Sequence, residues 1–84
     1  MSREPFQSES AELVRVEPAK GMARYYMAAI WPDLFGGVSL VREWGRLGQP
    51  GRLRLDAHPD TAGAQAKLVE LVRRKERKGY RRIA

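Results

Sequence analysis

The chain has 84 residues, a formal net charge of +6 and no cysteine. This length allows one domain with a thin core, burying about 60–65% of the surface that the unfolded chain exposes. The lack of cysteine excludes disulfides, thiolate metal sites and cysteine nucleophiles, and it fits a reducing compartment such as the cytoplasm.

The polar N-terminal segment, residues 1–10, is predicted to be a disordered arm with a single aromatic side chain, Phe6. It has no apolar stretch, so we expect neither a signal peptide nor a membrane span there. Residues 11–84 are predicted to form a single domain. Its first strand runs from Ala11 to Glu17, and Pro18 then ends this strand in a turn.

Three more strands are predicted by runs of aromatic and branched side chains between turn residues. They cover residues 23–31, 38–46 and 52–58, with a hairpin connection at Pro32–Gly37 and a tight turn at Gly48–Gly51. Connections this short predict an antiparallel meander.

The alternation of side chains along these strands predicts which residues share a face. Tyr26, Ala28 and Ile30 share one face of the second strand. In the fourth strand Leu53, Leu55 and Ala57 are predicted to face the core, with the charged residues between them facing out. The other aromatic side chains expected in the core or at the sheet rim are Tyr25, Trp31 and Phe35.

After residue 58 the apolar residues no longer alternate but recur every three or four positions, which predicts a C-terminal helix with Asp60 or Thr61 as its N-cap. Its apolar stripe is formed by Ala64, Leu68, Leu71 and Val72, widened by Ala62, Ala66 and Val69. Gly79 is expected to end the helix, and residues 80–84 are expected to dock as a fifth strand. The predicted fold class is therefore α+β, with a twisted antiparallel four- to five-stranded sheet and one helix packed on one face.

Basic residues are concentrated in two groups, which favours a polyanionic partner. Half of the 16 Lys and Arg lie between Lys67 and Arg82, and a second group comprises Arg42, Arg46, Arg52 and Arg54. Nucleic acid, an acidic protein or an anionic membrane surface would each suit this charge. A membrane is disfavoured because the helix has no Trp or Phe on its apolar stripe.

Catalytic and cofactor chemistry has little support in the sequence. His58 is the only histidine, and it cannot form a metal site without cysteine partners. The glycines at 45, 48 and 51 do not form a phosphate loop, because no helix follows at once and Pro50 lacks an N–H. We therefore expect no enzyme activity, no cofactor and no small-molecule substrate.

The segment Trp44-Gly45-Arg46-Leu47-Gly48 resembles the motif of the WGR domain family. The resemblance extends to the aromatic pair in Arg24-Tyr25-Tyr26, to Asp33-Leu34-Phe35-Gly36 followed by Leu40-Val41-Arg42-Glu43, as in the bacterial branch of the family, and to the spacing from Lys75 to Tyr80. It covers roughly residues 11–82 and implies the same fold as the periodicities.

The resemblance also implies a role. In poly(ADP-ribose) polymerases the WGR domain contacts DNA near a strand break, where the motif's Trp packs on sugar and its Arg makes polar contacts with DNA or adjacent domains. These positions correspond to Trp44 and Arg46. The same chemistry follows from the side chains, since an indole can stack on a sugar or base and a guanidinium can bind phosphate bidentately.

The sequence thus predicts a module that binds nucleic acid, with DNA favoured over RNA, with little sequence specificity and with possible recognition of ends or nicks. The predicted binding residues are Trp44, Gly45, Arg46, Arg42, Arg52, Arg54, Lys75, Lys78 and Tyr80. The alternative is a protein-interaction module that docks on a separate DNA-processing partner.

Three structural alternatives stay open at this point. Trp44 could belong to the core, Arg46 could form a cross-strand ion pair with Glu43 or Asp56, and the basic run from residue 73 to 82 could be only a solvated helix face. A cytoplasmic location, with association to the nucleoid, is the corresponding expectation for localisation.

Overall fold

A computed structural model describes residues 9–84, so the predicted disordered arm lies outside the described residues except for its last two positions. The elements follow the predicted order. They are β1 (Ser10–Glu17), a 3-10 turn (Pro18–Lys20), β2 (Met22–Pro32), β3 (Val38–Arg46), β4 (Arg52–His58), α1 (Thr61–Arg77) and β5 (Arg81–Arg82).

The five strands form one sheet in the order β4-β3-β2-β1-β5, with every neighbouring pair antiparallel. Short connections place β1 to β4 side by side, as expected for a meander. After α1 crosses the sheet, the C-terminal residues pair with the outer edge of β1, with Leu13 opposite Arg82. The predicted α+β class and the docking of the tail as a fifth strand are both confirmed.

The two ends of α1 are set by local side-chain and backbone chemistry. The carboxylate of Asp60 accepts a hydrogen bond of 2.9 Å from the backbone N–H of Gly63, which makes Asp60 the N-cap. At the other end Gly79 has a φ of 98°, a left-handed conformation that few other residues adopt without strain. Both helix boundaries therefore agree with the prediction.

The hydrophobic core lies between α1 and one face of the sheet, here called the helix face. The four predicted residues of the apolar stripe of α1 are buried against side chains of β1, β2 and β3. Burial of each large side chain contributes about 1.5–3 kcal/mol to folding. The core residues are Ala11, Leu13, Tyr26, Ala28, Ile30, Leu40, Ala64, Leu68, Leu71 and Val72.

The prediction that the apolar residues of β4 face the core was wrong. Leu53 and Leu55 lie on the opposite side of the sheet, the open face, where their side chains are 63% and 59% exposed, and Ala57 is exposed beside them. In the strand register Arg52 lies opposite Trp44, and Arg54 lies opposite Arg42, so the charged residues of β4 share the helix face. Strict alternation fixes which residues share a face, but it does not identify the face on which a distant helix packs.

The prediction for the aromatic side chains was correct for Tyr26 and wrong for Trp31 and Phe35. Tyr26 is buried beneath α1, while Trp31 is 60% and Phe35 is 92% exposed. Phe35 lies at the tip of the β2–β3 hairpin, where the carboxylate of Asp33 accepts hydrogen bonds from the backbone N–H groups of Phe35 and Gly37. The residues predicted to widen the stripe of α1, Ala62, Ala66 and Val69, are also exposed.

Candidate nucleic-acid interface

A cavity of about 520 Å³ opens at the end of the sheet where β2 begins and β3 ends. Its walls come from the turn before β2, from the WGR segment of β3, from the last turns of α1 and from the residue that precedes β5. This volume lies within the usual range for ligand pockets. The lining residues are Lys20, Gly21, Met22, Ala23, Arg24, Trp44, Gly45, Arg46, Lys75 and Tyr80.

Trp44 connects this cavity to the hydrophobic core. Its indole is half-buried and packs on Tyr26 with a ring-centroid distance of 6.4 Å and an interplanar angle of 28°. The guanidinium carbon of Arg42 lies 6.0 Å from the centre of the Trp44 ring. One part of the ring is therefore fixed by packing, while another part lines the cavity and remains available for stacking.

Lys75 reaches the cavity from α1 and lies between two aromatic rings. Its Nζ is 4.6 Å from the ring centre of Tyr26 and 5.2 Å from that of Tyr80. Burial lowers the pKa of Lys75, and the positive charges of Lys78, Arg42, Arg74 and Arg24 lower it further. An anion in the cavity would relieve this repulsion, because it favours the charged ammonium.

Arg46, the last residue of β3, also lines the cavity. Its cross-strand partner is Arg24, so two like charges face each other on the helix face. Neither arginine forms an ion pair within residues 9–84. Glu43 lies on the open face and accepts a hydrogen bond of 2.9 Å from Tyr25 Oη, whereas Asp56 is occupied by other arginines. The suggested pairing of Arg46 with Glu43 or Asp56 is therefore absent.

The predicted binding residues Arg42 and Arg54 both pair with Asp56. Each has a guanidinium nitrogen 3.0 Å from a carboxylate oxygen of Asp56, and the side chain of Arg42 is only 16% exposed. Burial acts to raise the pKa of Asp56, but hydrogen bonds and positive charge from Arg54 and Arg42 outweigh it and leave this pKa lowered. Arg42 therefore has a structural ion pair, and Arg54 does not line the cavity.

The predicted residues Arg52 and Lys78 flank the cavity. Arg52 is exposed and lies opposite Trp44 in the strand register. Lys78 lines a smaller adjoining hollow of about 170 Å³, which shares Trp44 and Lys75 with the main cavity. Five of the nine predicted residues line the cavity itself, namely Trp44, Gly45, Arg46, Lys75 and Tyr80. Arg42 and Lys78 line the adjoining hollow, and Arg54 lines neither.

Gly45 contributes to the cavity with its backbone only. A Cβ at this position would lie 2.8 Å from the Cα of Gly51 and 3.5 Å from the ring of Tyr25, whose side chain lies on the open face. The space beside Gly45 is therefore occupied by the backbone of this chain at Gly51. Its neighbours Trp44 and Arg46 alternate to the helix face, where the cavity lies.

Sequence reasoning missed three residues that shape the interface. Arg24 and Lys20 line the cavity, and Tyr26 supports both Trp44 and Lys75. Strand parity could have identified Arg24, because it has the same parity as Tyr26 and precedes it by two residues. Lys20 carried no such signal, since its position depends on the turn before β2, where it also pairs with Glu17 at 3.3 Å.

Comparisons with known proteins agree with the resemblance in the motif. The family model of the WGR domain matches residues 9–84. A curated relative, "Uncharacterized protein y4dW" of Sinorhizobium fredii (strain NBRC 101917 / NGR234), is 39% identical over 67 residues, which cover 80% of this chain. The chain spans about a third of the length of that relative, 33%. No solved structure matches the chain significantly.

The described residues also bear on membrane crossing. Within residues 9–84 no helix combines the length and the apolar character that a bilayer span requires.

Proposed function

Because this chain belongs to the WGR domain family, whose members are generally nucleic-acid-binding modules, we propose that it binds DNA at the cavity beside Trp44. We propose further that this binding has little sequence specificity and favours DNA ends and nicks. WGR domains are not catalytic by themselves, and the proposed role is accordingly one of binding. Such a protein would act at the nucleoid in the cytoplasm of a bacterium.

One observation carries this proposal: a stacking surface and two cations that form no ion pair with any of residues 9–84 surround the same cavity. Trp44 and Tyr80 line it together with Arg46 and Lys75, which come from different elements of the fold. Stacking of a base on an aromatic ring contributes about 1–3 kcal/mol, and Arg or Lys contacts to phosphate supply the larger electrostatic share of affinity. A terminal nucleotide presents a ring and a phosphate together, which suits this arrangement.

Low sequence specificity follows from the type of contact available. Cations bind phosphates that every sequence shares, and an aromatic ring stacks on any base or sugar. The helix α1 packs its apolar stripe on the sheet, and only its last turns reach the cavity. The proposed interface is therefore formed by strand ends, a turn and the end of α1, and not by the side of a helix that could lie in a major groove.

A titration with labelled DNA tests the proposal. Fluorescence anisotropy compares a duplex with a central 5′-phosphorylated nick, an intact duplex closed by hairpin loops, and single-stranded RNA of matched sequence. We expect the tightest binding to the nicked duplex. With about four phosphate contacts, the affinity should fall about 100-fold between 50 and 200 mM salt.

Each arm of this titration has an outcome that counts against the proposal. No binding to any DNA at tens of micromolar protein in low salt would refute DNA binding. Equal affinity for nicked and closed duplexes would refute the preference for ends and nicks. Tighter binding to RNA than to DNA would identify RNA as the preferred ligand instead.

A second candidate function is docking on a separate DNA-processing protein, and the β2–β3 hairpin favours it. Leu34 and Phe35 at its tip are 94% and 92% exposed, which is unusual for two adjacent large apolar side chains. The hairpin follows β2 at the end of the sheet away from the cavity. Loss of a captured partner in a Phe35→Ser pull-down, with DNA affinity unchanged, would support this role. Capture that is insensitive to this change would contradict it.

A further inference from the structure

The outer edge of β4 has no partner strand within residues 9–84. β4 lies at one edge of the described sheet. The inner side of β4 pairs with β3 over the whole length of β4, from Arg52 opposite Trp44 to His58 opposite Val38. Half of the backbone N–H and C=O groups of an edge strand point away from its sheet. This edge is therefore a template for one more antiparallel strand.

The side chains of β4 are divided strictly between the two faces of the sheet. Leu53 and Leu55 project from the open face, where both are well exposed, while Arg54 and Asp56 lie on the helix face. Within residues 9–84 no helix covers the open face, since α1 packs on the other side. A strand added at this edge would bring its own side chains beside these leucines.

We propose that two copies of this chain associate by antiparallel pairing of their β4 strands, with Leu55 on the two-fold axis. In this register Leu55 meets the partner's Leu55, and Leu53 meets the partner's Ala57. Arg54 lies opposite the partner's Asp56, and the symmetry forms this opposite-charge pair twice. Apolar cross-strand pairs and opposite-charge cross-strand pairs both stabilise a sheet.

The charges of β4 select this register over its neighbours. A two-fold axis at Arg54 or at Asp56 places two identical charges opposite each other. An axis at Leu53 places Arg52 opposite Arg54 of the partner subunit twice, and an axis at Ala57 brings Pro59, which has no N–H, against the partner's Leu55. Like charges directly opposite each other destabilise an antiparallel pair. Of these registers, only the axis at Leu55 combines apolar contacts and opposite-charge pairs with neither opposed like charges nor a proline in the pairing.

The pairing would join the two sheets into one of ten strands. Residues that lie directly opposite each other in an antiparallel pair project from the same face, so both α1 helices and both cavities lie on the same side of the assembly. This part of the inference rests on the proposed function, because two cavities on one side would let the dimer hold two DNA ends or two segments of one duplex.

Single-cysteine variants test the register directly, because the natural chain contains no cysteine. Opposed residues of an antiparallel pair have Cβ atoms about 4.5–5.5 Å apart, close enough for a disulfide after a small shift. Under mild oxidation we expect Leu55→Cys to form a covalent dimer by itself. Leu53→Cys should stay largely monomeric alone but should form a dimer when it is mixed with Ala57→Cys.

Sedimentation equilibrium on the unmodified chain gives an independent measurement. The weight-average mass should rise with concentration from that of one chain toward that of two. Leu55→Lys should weaken this association at least tenfold, because it places two ammonium groups on the axis. Val69→Lys, which introduces the same charge at an exposed position on α1, should leave it unchanged.

The proposal is overturned if the chain remains monomeric at millimolar concentration, or if Leu55→Cys cross-links no faster than Leu53→Cys alone. These measurements contain no DNA, so they are separable from the proposed function. A chain that forms the covalent dimer but binds no DNA would refute only the DNA-binding proposal. A monomer that binds nicked DNA would refute only the pairing of β4.

Discussion

Arg24 and Arg46 face each other across β2 and β3, and neither forms an ion pair within residues 9–84. Like charges in directly opposed positions destabilise a sheet. A position where a local rule is broken without compensation is expected at a functional site. An external anion, such as a DNA phosphate, would supply the missing counter-charge.

Reversing one of these charges should therefore change stability and binding in opposite directions. Arg46→Glu creates an attractive cross-strand pair with Arg24, and we expect the free energy of unfolding to rise by about 0.2–1 kcal/mol. DNA affinity should fall at least tenfold, about 1.4 kcal/mol, because the cavity loses a phosphate contact and gains a negative charge. Urea unfolding and anisotropy measure the two effects.

Arg73→Glu is the matched control for this change. It alters the net charge by the same amount, but Arg73 lies on α1 beside a different hollow, with Ala11 and Arg82. Its effect on DNA affinity should be less than about threefold, since Arg73 does not line the cavity and its exposed charge is screened by water and salt. Equal losses in both variants would mean that only net charge matters and that the cavity is not the binding site.

Trp44 should report DNA binding through its own fluorescence. In Trp31→Phe the only remaining tryptophan is Trp44, whose ring lines the cavity. Stacking on a base or sugar should quench its emission in proportion to occupancy. In Trp44→Phe the emission of Trp31, which lies on the open face, should not respond to the same titration. A signal from Trp31 alone would place the DNA on the open face of the sheet, on the side away from the cavity.

The lowered pKa of Lys75 predicts that binding weakens in alkaline solution. Because the folded pKa lies below the ordinary value of 10.5, Lys75 loses its charge at a lower pH than an exposed lysine. DNA affinity should thus decline as the pH rises through this lowered pKa. Lys75→Arg keeps its charge at every pH of the titration and should flatten the profile.

The control for this pH dependence is Lys78→Arg, which replaces an exposed lysine beside the cavity. It should leave the alkaline decline in place. The same flattening in both arginine variants would show that the decline does not arise from Lys75.

Asp56 should make stability sensitive to acid. Its folded pKa is lowered below the ordinary value of 3.8 by Arg54 and Arg42, so its contribution is fully present above that value. The contribution is lost as the pH falls from the ordinary pKa through the folded pKa, because the unfolded chain then binds more protons. Urea midpoints between pH 7 and pH 2 should show this loss, and Asp56→Asn should reduce the slope.

Asp56→Asn should also be less stable at neutral pH, by about 1–3 kcal/mol, because the mostly buried guanidinium of Arg42 loses its charged partner. Removing the exposed partner with Arg54→Ala should cost less than about 1 kcal/mol. If Arg54→Ala is the more damaging of the two, the assignment of Arg42 and Asp56 as the structural pair is incorrect.

Gly45 should contribute to stability, because its position leaves no room for a side chain. Gly45→Ala forces a Cβ to within 2.8 Å of the Gly51 backbone, and we expect a loss of about 1–3 kcal/mol. Gly63→Ala is the matched control, because its Cβ meets nothing closer than 3.4 Å and Ala is the better helix former by about 0.8–1 kcal/mol. Thermal unfolding should move in opposite directions for the two variants.

The sequence by itself determined the elements of this fold. Local signals are strong at each boundary: Pro18 and Gly21 enclose the first turn, Asp60 caps α1, and Gly79 ends it. The spacing of apolar residues in α1 identified the four core residues of the helix, and side-chain alternation in β2 grouped Tyr26, Ala28 and Ile30 on one face, because these periods are properties of the local backbone. The pattern around Trp44 was likewise sufficient to identify the family.

Only the tertiary structure decided which side of the sheet the helix covers. Alternation shows that Leu53 and Leu55 share a face, but the packing of α1 left that face open. The same packing brought Lys75 and Tyr80 beside Trp44 and Arg46, more than 25 residues earlier in the chain, and drew Arg42 into a pair with Asp56. These relationships depend on how distant segments dock, and a local period carries no information about docking.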